Sequence, residues 1–157
     1  MKPPASPLRR LLLSLLLLAL PHAVRAEAHA CTLLQPADLV PLFGKPVAGK
    51  ANAGACEWSV AGGPKKLIVA RMKKTGSDAE MAYAGARKNM AMDPSAKVVD
   101  EKGIGDKAFS LQTSFGASLM AIKGGRVLNL MFMAGAPGTE KDVAAMRSVA
   151  KKAVAAF

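Results

Sequence analysis

Histidine is almost missing from this chain: its two copies are His22 and His29, both ahead of the first cysteine. Everything downstream therefore lacks the imidazole that Ser-His-Asp and Cys-His catalysis needs, and a multi-histidine zinc site cannot be assembled there. Aromatic residues are scarce too, limited to Trp58, Tyr83 and five phenylalanines. Stacking platforms for single-stranded nucleic acid are built from aromatics, so this scarcity argues against nucleic acid as a partner. Long apolar runs are confined to residues 11–20, LLLSLLLLAL. That is about half of the roughly 20 residues a membrane-crossing helix needs, so no transmembrane segment is expected. No Gly-x-Ser-x-Gly, phosphate loop or paired metal motif occurs. Acids are in short supply as well, with 11 against 22 lysines and arginines.

What is present first is an export leader. A basic start (Lys2, Arg9, Arg10), the apolar run and then small residues are the three parts of a secretory signal peptide. The small residues at Val24 and Ala26 place the cut after Ala26, with cuts after Ala28 or Ala30 also fitting the small-x-small rule. Residues 1–26 are thus read as a cleaved signal peptide and residues 27–157 as one periplasmic or secreted domain of 131 residues. The leader removes four cations, leaving 18 basic against 11 acidic residues, a net charge of +7. Outside the cytoplasm such a domain is drawn to lipid phosphates, acidic glycans or acidic protein patches. The lysines of PKKLIVARMKK, residues 64–74, read as the charged ends of a solvated strand.

Two cysteines, Cys31 and Cys56, are an even set for one bridge in an oxidising compartment. Redox catalysis is the alternative for two cysteines, but it usually presents Cys-x-x-Cys, whereas these lie 25 positions apart. A lipid on Cys31 is the other alternative. Its processing motif resembles Leu-Ala-Gly-Cys against the apolar run, while here Ala-His-Ala precedes the cysteine and Arg25 and Glu27 intervene. A cut after Ala26 also creates the terminus Glu27-Ala28-His29. A free amine, two amides and a third-position imidazole can enclose copper(II) in a square plane, against the simpler reading of a frayed, solvated end.

Hydropathy periodicity and turn chemistry predict the elements. QPADLVPLFGKPV reads as a short or bent helix, with Pro36 at its start, Pro41 as an irregularity and Leu39, Leu42 and Phe43 facing inward. VAGKANAGA reads as a small-residue loop. CEWSV and KKLIVARM then form a hairpin around Gly62-Gly63-Pro64, the second strand buried on both faces. Ser77 and Glu80 form a capping-box pattern opening a helix through Ala79, Tyr83, Ala86 and Met90 that ends before Asp93-Pro94. AKVVD and KGIGDKAFSL supply further strands, and Gly124-Gly125 joins ASLMAIK to RVLNLMFM in a primed turn. Thr139 and Asp142 open a last helix, with Val143, Met146, Ala150, Ala153 and Phe157 along one side. The order helix, strands, helix, strands, helix defines an α+β domain, an antiparallel sheet flanked by helices.

The segments CTLLQPADLVPLFGKPV, CEW and GIGDKAF, followed by a hairpin and a closing helix, resemble a family of small secreted bacterial domains of unknown function, many of them actinobacterial lipoproteins. The shared pattern is Cys-x-Leu-Leu, Gly-x-Pro-Val, Cys-x-Trp and Gly-Ile-Gly-Asp-x-Ala, and it spans nearly the whole mature chain. The resemblance implies a Mog1/PsbP-like fold and pairing of Cys31 with Cys56. It carries over no catalytic residue. This chain departs from the lipoprotein members in lacking a separate lipid-site cysteine upstream.

Three remaining features have a functional and a plainer reading. GIGDKA, residues 103–108, offers an ion cradle, but no helix follows it, so its glycines read as turn formers and Asp106 as a backbone acceptor. Asp100 and Glu101 resemble a carboxylate pair, yet neighbours in a strand point to opposite faces. Met90 and Met92, and Met131 and Met133, suit thioether copper sites or core filling. The function these residues favour is a non-enzymatic, disulfide-bonded envelope domain that binds a partner, anionic by charge. The alternatives are a copper-binding accessory using Glu27, Ala28 and His29, and an enzyme working without histidine.

Overall fold

The computed structural model describes residues 30–157. The expected signal peptide and the Glu27-Ala28-His29 terminus lie outside them. A 3₁₀ turn at Ala30–Thr32 leads to a second at Pro36–Leu39, which runs directly into helix α1, Val40–Phe43. Pro41 thus sits in the first turn of α1, where its missing N–H costs nothing, and Gly44 ends the helix at φ 74°. Leu39 and Leu42 are buried and Phe43 packs edge-on against Phe132, ring centroids 5.6 Å apart.

Strands β1 (Ala48–Asn52), β2 (Ala55–Ser59) and β3 (Lys66–Thr75) precede helix α2 (Ser77–Ala91); β4 (Lys97–Glu101), β5 (Lys107–Thr113), β6 (Gly116–Lys123) and β7 (Arg126–Met133) precede helix α3 (Glu140–Ala155). The seven strands form one antiparallel sheet in the order β1-β2-β3-β7-β6-β5-β4. Among the described residues, therefore, the fold is α+β, and no helix is long and apolar enough to cross a membrane. The loop expected over VAGKANAGA is largely a strand: β1 pairs along its length with β2, from Ala48 opposite Ser59 to Asn52 opposite Ala55. Its five exposed residues carry no apolar alternation, so hydropathy had nothing to report.

Each sheet face has its own core. On one face Cys56, Trp58, Leu67, Val69, Leu119, Leu128, Leu130 and Phe132 pack with Val143, Met146, Val149, Ala150 and Ala153 of α3. On the other, Phe109, Leu111, Met120, Ile122 and Val127 pack with Ala79 and Tyr83 of α2. Alternation along β6 explains the division, because Leu119 and Ala121 point one way and Met120 and Ile122 the other. Helices consequently lie on both sides. The expectation that β3 is buried on both faces holds for one face only: Leu67 and Val69 are fully buried, but Ile68 and Ala70 are half-exposed beyond the reach of α2.

Local chemistry sets two boundaries as expected and one differently. Gly124 and Gly125 take φ 56° and 70°, the left-handed angles of a primed hairpin turn. Thr139 caps α3, its hydroxyl accepting from the Asp142 N–H at 3.2 Å while Asp142 accepts from the Thr139 N–H at 2.9 Å. The Ser77–Glu80 box does not form. Gly76 occupies the cap position, and the Glu80 carboxylate instead binds Lys107 at 2.9 Å, because an ammonium is a stronger partner than a backbone amide already near solvent.

Candidate functional site

Cys31 and Cys56 are joined in a disulfide, their Cα atoms 4.9 Å apart, which fastens the chain's entry segment to β2 in the face that α3 covers. Cys56 is wholly buried, and Cys31 packs against the same core. The bond engages both cysteines of the chain.

The residues of the glycine motif and its flanking acids gather where α2 crosses the β4–β5 edge. A cleft of about 540 Å³ is lined there by Glu80, Tyr83, Arg87, Lys88, Met92 and Lys107. Tyr83, Arg87 and Lys107 also line a neighbouring hollow of about 350 Å³, which Asp100, Glu101 and Asp106 complete. The charges in this region hold one another. Arg87 grips Asp100 with two parallel bonds of 2.8 and 2.9 Å, raising its own pKa and lowering that of the carboxyl. Lys107 binds Glu80. Tyr83 packs edge-on against Phe109, and burial, then the nearby Asp100 charge, raise its phenol pKa.

Asp100 and Glu101 do diverge. Asp100 faces α2, while Glu101 points to the α3 side and accepts from Ser110 and from Arg147 Nε at 2.7 Å. Arg147 reaches onward to Glu140 at 2.9 Å, and the bond to Glu101, then that to Glu140, raise its pKa. Two carboxylates on opposite faces, each locked to an arginine, do not form an acid–base pair.

The plainer reading of GIGDKA is the one the geometry follows. Gly103 and Gly105 have φ 71° and 62°. Asp106 accepts from the Gly124 N–H at 2.8 Å, and its own N–H donates to the Ile122 carbonyl at 2.7 Å. The motif thus buckles the β4–β5 connection onto the β6–β7 turn. Met131 and Met133 share a half-buried stretch of the α2-side face; Met90 packs in that core, and Met92 stands exposed. Among the described residues no group of three His, Cys, Asp or Glu side chains converges as a metal site.

Many cations are committed to internal bonds that the sequence does not reveal. Lys66 pairs with Glu57 at 3.0 Å and Lys152 with Asp38 at 2.7 Å. At the end of α3, Lys123 donates to the Val154 carbonyl at 2.7 Å and Arg126 to that of Phe157 at 3.0 Å, while Arg71 and Arg126 stack on the Phe157 ring. Within PKKLIVARMKK, Lys66 and Arg71 are thus turned to partners inside the fold. Among the described residues, the lysines left exposed without a carboxylate within 4 Å include Lys88, Lys97, Lys102, Lys141 and Lys151, spread over the helices and the β4 side, and three more at the β1 side of the sheet. Lys45 leads into β1, Lys50 is its central residue, and Lys65 leads into β3 at the end of the sheet where Ala48, Ser59 and Lys66 align.

No family model, curated protein or solved structure matches the chain.

Proposed function

We propose that this chain works outside the cytoplasm, periplasmic or secreted, as a disulfide-bonded domain that binds an anionic envelope partner and performs no catalysis. The observation that carries the proposal is that exposed Lys45, Lys50 and Lys65 lie in or just before β1 and β3, where the one acid of the intervening strand β2, Glu57, is already bonded to Lys66. Several cations elsewhere are held in ion pairs, so the exposed lysines at this end of the sheet are groups from which an external anion gains on approach. Two further observations support the reading. The two carboxylates at the α2 cleft, Glu80 and Asp100, are each held by a cation, Lys107 and Arg87, so neither is free to act as a general base. The disulfide suits an oxidising compartment and leaves no thiol at Cys31 for a lipid. The α+β sheet with helices on both faces supports reading the domain as Mog1/PsbP-like.

The test is retention on heparin and on phosphatidylglycerol vesicles as salt is raised, for the exported protein and for a variant with Lys45, Lys50 and Lys65 changed to glutamine. Exposed charges are screened beyond about 10 Å at 0.1 M salt, so binding should weaken with salt and drop in the variant. Equal retention of the two proteins would discard the anionic reading.

A further inference from the structure

The two edges of the sheet are built differently. Edge strand β4 carries adjacent acids on its two faces, each tied to a helix: Asp100 to Arg87 of α2 and Glu101 to Arg147 of α3. Charged side chains clamped over both faces of an edge are a recognised defence against another chain pairing with it. Edge strand β1 has no such cover. Its sequence AGKAN is exposed throughout and contains no proline, and its helical neighbour is only the short 3₁₀ turn Ala30–Thr32.

The backbone groups open to a partner follow from the turn. Ala53 and Gly54 take φ 41° and 85° in a two-residue connection, which makes Asn52 and Ala55 a hydrogen-bonded pair. Bonded and non-bonded pairs alternate along an antiparallel ladder, so Lys50 bonds to Glu57 and Ala48 to Ser59. The N–H and C=O groups of Gly49 and Ala51 therefore point away from β2, into solvent.

We propose that β1 is a strand-addition site for an extended acidic segment of a partner protein. Side chains on the two faces set the pattern such a segment must have. On one face Lys50 is the only charge of β1, and Glu57 opposite it in β2 is already bonded to Lys66, so Lys50 calls for an acid on its open side. On the other, Gly49 and Ala51 are small and lie opposite Trp58 and Cys56, and the Trp58 ring extends over Gly49 as an apolar surface for an apolar residue. The matching ligand alternates acidic and apolar residues. A second copy of the chain is a poorer occupant: antiparallel pairing of all of β1 with itself sets Lys50 directly opposite Lys50, and like charges facing each other oppose pairing. This inference rests on the anionic reading above and adds the mode of binding to it.

The experiment uses the exported, disulfide-bonded protein and a short synthetic peptide alternating glutamate with valine, against a control alternating lysine with valine. Ala51→Pro removes one outward N–H without touching the ladder to β2, and Lys50→Glu reverses the central charge. The glutamate peptide should bind the parent, bind each variant about tenfold more weakly or worse, and slow hydrogen exchange at the Gly49 and Ala51 amides of the unaltered protein. The exchange measurement needs no variant, so it decides the matter even if Ala51→Pro disturbs folding. If Lys50→Glu abolishes binding while Ala51→Pro and the two amides are unaffected, strand addition is overturned and the anionic reading stands. If the lysine peptide binds the parent as well as the glutamate peptide, the anionic reading falls and the proposal with it. Retention on anionic vesicles without any binding of the glutamate peptide overturns strand addition in favour of a lipid surface, and a concentration-dependent dimer abolished by Ala51→Pro overturns it in favour of self-pairing.

Discussion

The indole of Trp58 lies flat on Gly49, its cross-strand partner in β1, so closely that a β-carbon at position 49 would fall 2.9 Å from two ring carbons. Glycine at this position lets a core tryptophan extend under the edge strand. Gly49→Ala is expected to cost about 1–3 kcal/mol, the usual range for overpacking. Denaturant midpoints would show it, and a double-mutant cycle with Trp58→Leu should recover most of the loss. Additive effects would mean that ring and glycine do not communicate.

Removing the disulfide should be the larger perturbation. Cys31 and Cys56 close a loop of 25 positions, so the double change to alanine is expected to lower stability by about 2–4 kcal/mol, read from urea unfolding. Reductant should shift the parent's midpoint towards that of the double variant and leave the variant unmoved.

The two glycines of GIGDKA should respond unequally. Both have positive φ, but a β-carbon at Gly103 meets nothing within 4 Å, whereas one at Gly105 would stand 2.3 Å from the Ile122 carbonyl oxygen. Gly103→Ala is expected to lose about 1–2 kcal/mol from the left-handed backbone alone. Gly105→Ala should lose clearly more, since backbone atoms cannot yield as a flexible side chain does. Equal thermal midpoints for the two variants would contradict this.

Acid stability should depend on Asp38. Its pKa lies below the ordinary 3.8, first through the bond from Lys152 and then through the Gln35 N–H at 2.8 Å. A folded pKa below the unfolded one contributes stability that is fully present above the unfolded value and is lost as pH falls through the folded value. The parent should therefore be more stable than Asp38→Asn at neutral pH, by an amount within the range of about 0.2–1 kcal/mol for exposed pairs plus the cap bond. That advantage should shrink as pH falls below 3.8. Stability curves of the two proteins that stay parallel through the acid range would refute the assignment.

Much of the fold could be read locally. Gly124-Gly125 specifies a hairpin because both positions need left-handed angles, and Thr139 with Asp142 specifies a helix start because each side chain satisfies the other's backbone. Divergence of Asp100 and Glu101 follows from strand geometry alone. The strand β1 escaped detection because AGKAN has no apolar face; it pairs only because β2 offers a ladder and Trp58 needs a cover. The Ser77–Glu80 signal misled because Lys107, 27 residues from Glu80 in the chain, competes for the same carboxylate.

The amino-acid order by itself determined the want of histidine beyond Cys31, the excess of positive charge, the succession of helices and strands, and the placing of turns where glycine or a capping side chain acts within a few residues. Only the tertiary structure decided which charges remain free. Arg147 is neutralised by Glu101 across 46 positions and Lys152 by Asp38 across 114, whereas Lys50 stands exposed in the edge strand β1. Coulomb attraction depends on separation in space, and separation along the chain does not reveal it.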